Sequence, residues 1–307
     1  MLRYFPFTEK FDLKMGTSPL PGPDRLIECD EHYLTEVAIK RKLLEEDQRY
    51  YFRAAPETLP YQWEVIDIVL TSLITTYPEN FKLIKTENQW SWENKLLNEN
   101  YAFEFGNETT LPLPPLDWVG RQIQEDLLIL NQQLILIAGS LCFPSGWDLD
   151  GKMNKNFFDI HGPLPSLTNV IIETANKFIE RIPIGKAFQR NNWGFRITDQ
   201  LDLSARHTAN YQSLLSKISS EMNEDNAGEK IFVRVEHQTL SRLPKSGMVL
   251  FTIHTIQNKL SEEVKDKARA KTMYSFLSSV PEKLLEYKVM TPFVPALLNY
   301  LKIKSAD

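Results

Sequence analysis

Two segments of this 307-residue chain gather side chains able to do chemistry. The first spans residues 141–165. It runs through Phe143-Pro144-Ser145-Gly146-Trp147, carries Lys152, and reaches Ile160-His161-Gly162-Pro163. Gly and Pro around one histidine hold a loop in a defined path and let backbone approach a ligand closely. An imidazole presented there could bind iron or act as a base. The plainer reading is that His161 is a hydrogen-bonded loop residue and Trp147 a packing residue. The second segment is Arg234 to Pro244. If it is a strand, Arg234, Glu236 and Gln238 share one face. Such a row must be solvated, internally paired, or arranged around a polar ligand, because burying it otherwise is costly. Arg234 and Arg242 are natural carboxylate partners, since the guanidinium fork matches that geometry. A surface ion-pair ladder is the competing reading.

Other chemistries have no sequence basis. There is no G-x-G-x-x-G before a helix, no Walker loop and no G-x-S-x-G elbow. The five histidines, at 32, 161, 207, 237 and 254, lack metal-ligand spacing, and Cys29 and Cys142 lie far apart. Two cysteines exclude the disulfide framework of a small secreted protein. A net charge of −5 argues against a broad nucleic-acid surface, while leaving room for a local basic pocket. The N-terminus has no continuous apolar h-region. The most membrane-like stretch, residues 127–143, is interrupted by Asn131, Gln132 and Gln133. The expected compartment is the cytoplasm, with no membrane partner.

The elements that would position these residues follow from periodicity. Residues 1–29, with Pro19, Pro21 and Pro23, read as an irregular arm. An amphipathic helix is predicted from Asp30, a plausible N-cap, to about Phe52. A second begins near Pro60 and stops at Pro78. Residues 80–113 are mixed and give no clear assignment. A helix is predicted from about Asp117 to Leu130, with Gln124-Glu125-Asp126 on its solvated surface, then a strand over 134–143. Ser166 can cap a helix carrying Ile171, Ala175, Phe178 and Ile182. Asn191-Asn192-Trp193 reads as a turn before a strand. The clearest sheet signal is the alternation at 231–236. With LPKSG at 243–247 and a strand at 248–256, it predicts an antiparallel hairpin. Helical segments at 262–279 and 292–303 close the chain, which lacks repeats and low-complexity linkers.

Taken jointly, the two segments resemble the central signature of the haem-dependent oxidative N-demethylase alpha-subunit family. The resemblance is carried by Leu141-Cys142-Phe143-Pro144-Ser145-Gly146-Trp147, Lys152, Ile160-His161-Gly162-Pro163-Leu164-Pro165, Asn192-Trp193, and the run Arg234 to Pro244 leading into Val249–Ile253. Met15-Gly16 and Gln124-Glu125-Asp126-Leu127 also look like family landmarks, so the likeness covers about 15–260. The family commonly has Arg where this chain has His237, and often Gly where it has Asn154.

The resemblance implies an α+β fold: a PAS-like antiparallel sheet with N- and C-terminal helical additions, enclosing haem b. It implies one domain over 1–307, with the arm at 1–29 and the PAS-like core at 130–260. Members of known activity demethylate small secondary amines such as dimethylamine, using dioxygen and external electrons and releasing formaldehyde. They are similar to multicomponent monooxygenases fed by a flavin and iron–sulfur reductase. Carried onto this sequence, His161 is the expected axial ligand, with Cys142 an alternative. Arg234, Arg242 or Lys152 would neutralise propionates, Trp147 and Trp193 would form pocket walls, and Glu236 and Gln238 could orient the amine or dioxygen. A haem- or small-ligand-binding sensor, and a cofactor-free structural member, are the other readings. Oligomerisation is left open.

Overall fold

The computed structural model describes residues 1–14, 16–22, 26–156, 174 and 177–306. His161 and the helix expected after Ser166, apart from its last turn, lie outside the described residues. The fold is α+β, mixed helix and antiparallel sheet. Its principal sheet is built from β1 (Ser18–Pro19), β2 (Phe52–Ala54), β6 (Asp126–Leu130), β7 (Leu136–Ser140), β8 (Ala187–Arg196), β9 (Phe232–Arg242) and β10 (Val249–Lys259). These seven strands run in the order β1-β8-β9-β10-β6-β7-β2, every pair antiparallel. A separate meander of β3 (Phe81–Thr86), β4 (Gln89–Asn94) and β5 (Glu99–Glu104) fills the stretch that gave no assignment from sequence. Its helices are α1 (Tyr33–Glu46), α2 (Leu59–Thr76), α3 (Pro115–Gly120), α4 (Thr208–Glu221), α5 (Lys267–Ser278), α6 (Glu282–Tyr287) and α7 (Val294–Ala306), with shorter turns between them.

The expected hairpin is present as β9 and β10, in register from Val249↔Arg242 to Lys259↔Phe232. Period-2 alternation then divides the molecule in two. On one face, Leu127, Ile129 and Leu250 join the core formed by α2 and the meander. Further along the same face, Val233, Val235 and Phe195 pack against α5, α7 and the arm residues Leu2 and Phe7. The other face carries Leu128, Leu130, Leu240 and Ile253, with Leu149 and Ile182 from the long β7–β8 connection.

Three predicted elements are corrected. The first expected helix breaks at Asp47, whose side chain accepts from Tyr50 N and caps a separate short turn. Asn191-Asn192-Trp193 lies inside β8, not in a turn. The helix expected over 117–130 ends at Gly120, and Asp126–Leu130 is a central strand. A short apolar run suits a buried strand as well as a helix, and Leu127–Leu130 is such a run. The consequence is large, because Gln124, Glu125 and Asp126 are all at most 1% exposed rather than solvated.

Glu125 joins a buried polar cluster on the sheet face opposite Leu128. His254 of β10 lies 3.3 Å from Glu28, 3.7 Å from Asp30, 3.9 Å from Glu36 and 3.8 Å from Glu125. Gln124 Nε2 donates to Glu36 (2.7 Å) and Asp30 (2.8 Å). Arg3 pairs with Glu28 at 3.1 Å, so the cluster ties the N-terminal arm and α1 onto the sheet.

Candidate functional site

A cavity of about 490 Å³ lies on the sheet face that carries Leu128, within the range of cofactor and small-molecule sites. β6, β7 and β10 supply an apolar wall of Leu128, Leu130, Leu136, Phe251 and Ile253. β8 and β9 supply Asn192, Arg196, Arg234, Glu236 and Gln238, and the β7–β8 connection adds Ser145, Gly146, Trp147 and Lys152. Gly146 has φ +82°, a left-handed conformation that favours glycine, and it sits beside the cavity.

One end of the cavity is cationic. Arg234 is 2% exposed and donates to Phe143 O (2.8 Å) and Leu201 O (3.0 Å), while its Nε has no partner. Burial lowers its pKa to about 10. Arg196 donates to Ser145 Oγ (2.7 Å) and Lys288 O (3.3 Å). A Cβ at Gly194 would stand 3.0 Å from that guanidinium, so glycine leaves it room. Lys288 donates to Trp193 O (2.7 Å) and Asn192 Oδ1 (3.3 Å). Burial, reinforced by nearby Arg196, pushes Lys288 down to about 7. Each of the three is bonded to neutral oxygens, and among the described residues none is ion-paired to a carboxylate. Among the described residues that line the cavity, the only carboxylate is Glu236, whose Oε2 accepts from Gln238 (2.9 Å) and Asn192 (3.1 Å). Arg234 is buried and Arg196 and Lys288 are half-buried, and cations so placed without counter-ions favour an anionic occupant.

The cavity brings together Arg234, Glu236, Gln238, Lys152 and Trp147 from the sequence analysis. Trp193 also borders it, but its ring packs in the opposite core, 5.1 Å from Phe276 and 6.0 Å from Phe7. Arg242 lies beyond the lining residues. Its guanidinium is taken up by the carbonyls of Ile179, Glu180, Ile182 and Gly247. Cys142 is fully buried in a separate cluster with Leu44, Tyr51 and Phe143, and burial pushes its thiol well up, away from thiolate. His237 faces away from the cavity, stacked on Tyr4 with ring centroids 4.0 Å apart. Arg196, Lys288, His207 and Tyr211 were not found from sequence. Strand alternation from Asn192 would have reached Arg196. Lys288 follows a short helix near the other end of the chain and leaves no local signal.

The cavity is apolar on one side and cationic on the other, which suits an occupant with both apolar surface and negative charge. The chain matches, over residues 17–298, the family described as haem-dependent oxidative N-demethylase, alpha subunit-like, and belongs to that family. The alpha-subunit-like name of that family implies companion subunits. Among the described residues, no helix is long and apolar enough to cross a membrane. Nor do three or more His, Cys, Asp or Glu gather there in a metal-holding group.

Proposed function

We propose that this chain is the haem-binding subunit of an oxidative N-demethylase, acting on a small alkylamine with dioxygen and electrons from a separate reductase. The observation that carries this reading is the set of cations, one buried and two half-buried and none ion-paired among the described residues, beside an apolar wall, in a chain of a family named for haem dependence. Haem b has a large apolar ring and two carboxylate tails, and the residues present fit both. Arg196, Arg234 and Lys288 would neutralise the propionates, and Leu128, Leu130 and Phe251 would face the ring. His161 remains the expected iron ligand. The antiparallel block β7-β6-β10-β9-β8 supports the PAS-like reading of residues 130–260. Two core clusters share this sheet, which supports one domain over 1–307.

When bound, haem supplies dioxygen binding and its reduction. In the balance, one N-methylamine, one dioxygen, two electrons and two protons give the demethylated amine, formaldehyde and water. A C–O bond forms at the methyl carbon, and the C–N bond then breaks. Glu236 is suited to receive a cationic amine, because it lines the cavity and its Oε2 is fixed by Gln238 and Asn192. The electron donor would be a flavin and iron–sulfur reductase.

Reconstitution with haemin should give a Soret band, and an artificial reductant should then support amine-dependent oxygen uptake and formaldehyde release. No Soret band would reject the proposal. A Soret band without amine-dependent turnover would favour a sensor. Arg234→Met should keep the fold by circular dichroism and weaken haem binding about 10- to 100-fold, the loss of one charge-assisted contact. Glu236→Gln should keep the Soret band and raise the amine KM about 10-fold or more.

A further inference from the structure

His207 immediately precedes α4 and lines the cavity, with its side chain 30% exposed. His207 is thus a lining residue whose side chain is also partly open to solvent. Its Nε2 lies 3.0 Å from Asp202 Oδ2. Asp202 is 4% exposed and firmly held: Oδ2 accepts from Tyr51 Oη (2.6 Å) and Oδ1 from Ser204 N (2.9 Å). The neighbouring cation, Arg206, is drawn elsewhere, pairing with Asp47 at 2.6 Å and lying 3.4 Å over the Tyr50 ring. Among the described residues, Asp202 thus has no Lys or Arg partner and directs its charge at the imidazole.

A carboxylate on Nε2 fixes the tautomer with hydrogen on that nitrogen, leaving the Nδ1 lone pair open. Among the described residues no protein donor occupies Nδ1. We infer that His207, oriented by Asp202, carries protons from solvent into the cavity. The inference rests on the oxidative reading above, whose balance consumes two protons per turnover. Nδ1 takes a proton from water at the rim, the imidazolium is stabilised by Asp202, and the same proton passes inward, so the pair ends each transfer unchanged. His207 is the carrier and Asp202 a positioning residue. Neither belongs to the segments that carry the family resemblance.

Two measurements test it. In ligand-free full-length protein, long-range proton–nitrogen NMR should show hydrogen held on His207 Nε2, and Asp202→Asn should remove that preference. In the haem-loaded protein, His207→Gln should keep the Soret band and the amine-induced spectral change, yet slow turnover about 100-fold. More electrons should then be recovered as hydrogen peroxide, and added imidazole should restore turnover in His207→Gly. Unchanged turnover and peroxide yield in a haem-loaded His207→Gln would overturn the inference while leaving the oxidative reading intact. Loss of haem from His207→Gln would overturn it too, making the residue a cofactor holder. Absence of haem from the wild-type protein would instead remove the oxidative reading, and this inference with it.

Discussion

Asp126→Ala should destabilise the protein by about 3–5 kcal/mol, seen as a large fall in the denaturant midpoint. Asp126 and Lys40 are both fully buried and 3.6 Å apart. The carboxylate also accepts from Cys142 N and Phe143 N, each at 2.8 Å. Truncation leaves a buried ammonium without its counter-charge and two amides without an acceptor, and each loss is costly in a dry interior. The damage should reach the cavity. Phe143 is fixed by Asp126 on its N–H side and receives Arg234 on its carbonyl, and Ser145 and Gly146 follow directly. Haem affinity should therefore fall along with stability, even though Asp126 does not line the cavity. Lys40→Met combined with Asp126→Asn removes both charges and should recover part of the loss. A loss below about 1 kcal/mol for the single variant would mean that water already reaches this pair.

The same strand marks where sequence reasoning worked and where it stopped. The hairpin was readable because 231–236 alternates strictly and Gly247, at φ +70°, stands in a turn that needs it. Arg234, Glu236 and Gln238 were readable as one face for the same reason. Nothing local distinguished Leu127–Leu130 as strand from helix, because a residue buried on both sides carries no polar partner to set a period. Whether Gln124-Glu125-Asp126 was solvated depended on that choice, so a wrong element type hid the buried cluster. Long-range assembly was hidden for another reason. Lys288 meets Trp193 across 95 residues and Glu28 meets His254 across 226, and such pairings are set by tertiary packing rather than by spacing. Arg242 shows the converse: its residue type suggested a carboxylate, while the fold supplies four carbonyls.

The stability that His254 contributes should be full in mildly acidic solution and lost toward pH 9, so the gap between wild type and His254→Gln should close along the alkaline limb. Lys288, pushed down to about 7, adds stability as pH rises in both proteins. The imidazole is fully buried, and burial alone would lower its pKa. The hydrogen bond to Glu28 and the charges of Glu125, Glu36 and Asp30 outweigh that and raise it from 6.5 to about 9. A raised histidine contributes stability that is complete below pH 6.5 and lost as pH climbs through 9, on the order of 3 kcal/mol. Glu125, raised from 4.5 to about 7 chiefly by burial, acts in the same direction between those values. Glu28 opposes them. Burial would raise it, but the His254 and Tyr4 hydrogen bonds hold it near 2, so its contribution is present above pH 4.5 and lost as pH falls toward 2. His237 on the neighbouring strand is pushed down to about 4 by burial and stays neutral over the alkaline window, so it cannot replace the lost charge. Among the described residues, Arg3 pairs with Glu28 and Lys40 with Asp126, and His254 is the one base within 4 Å of all four carboxyl groups Glu28, Asp30, Glu36 and Glu125. Unfolding midpoints measured from pH 4 to 10 on wild type and His254→Gln would check this. Parallel curves for the two proteins would show that the imidazole is neutral and that the carboxyl groups around it share protons among themselves.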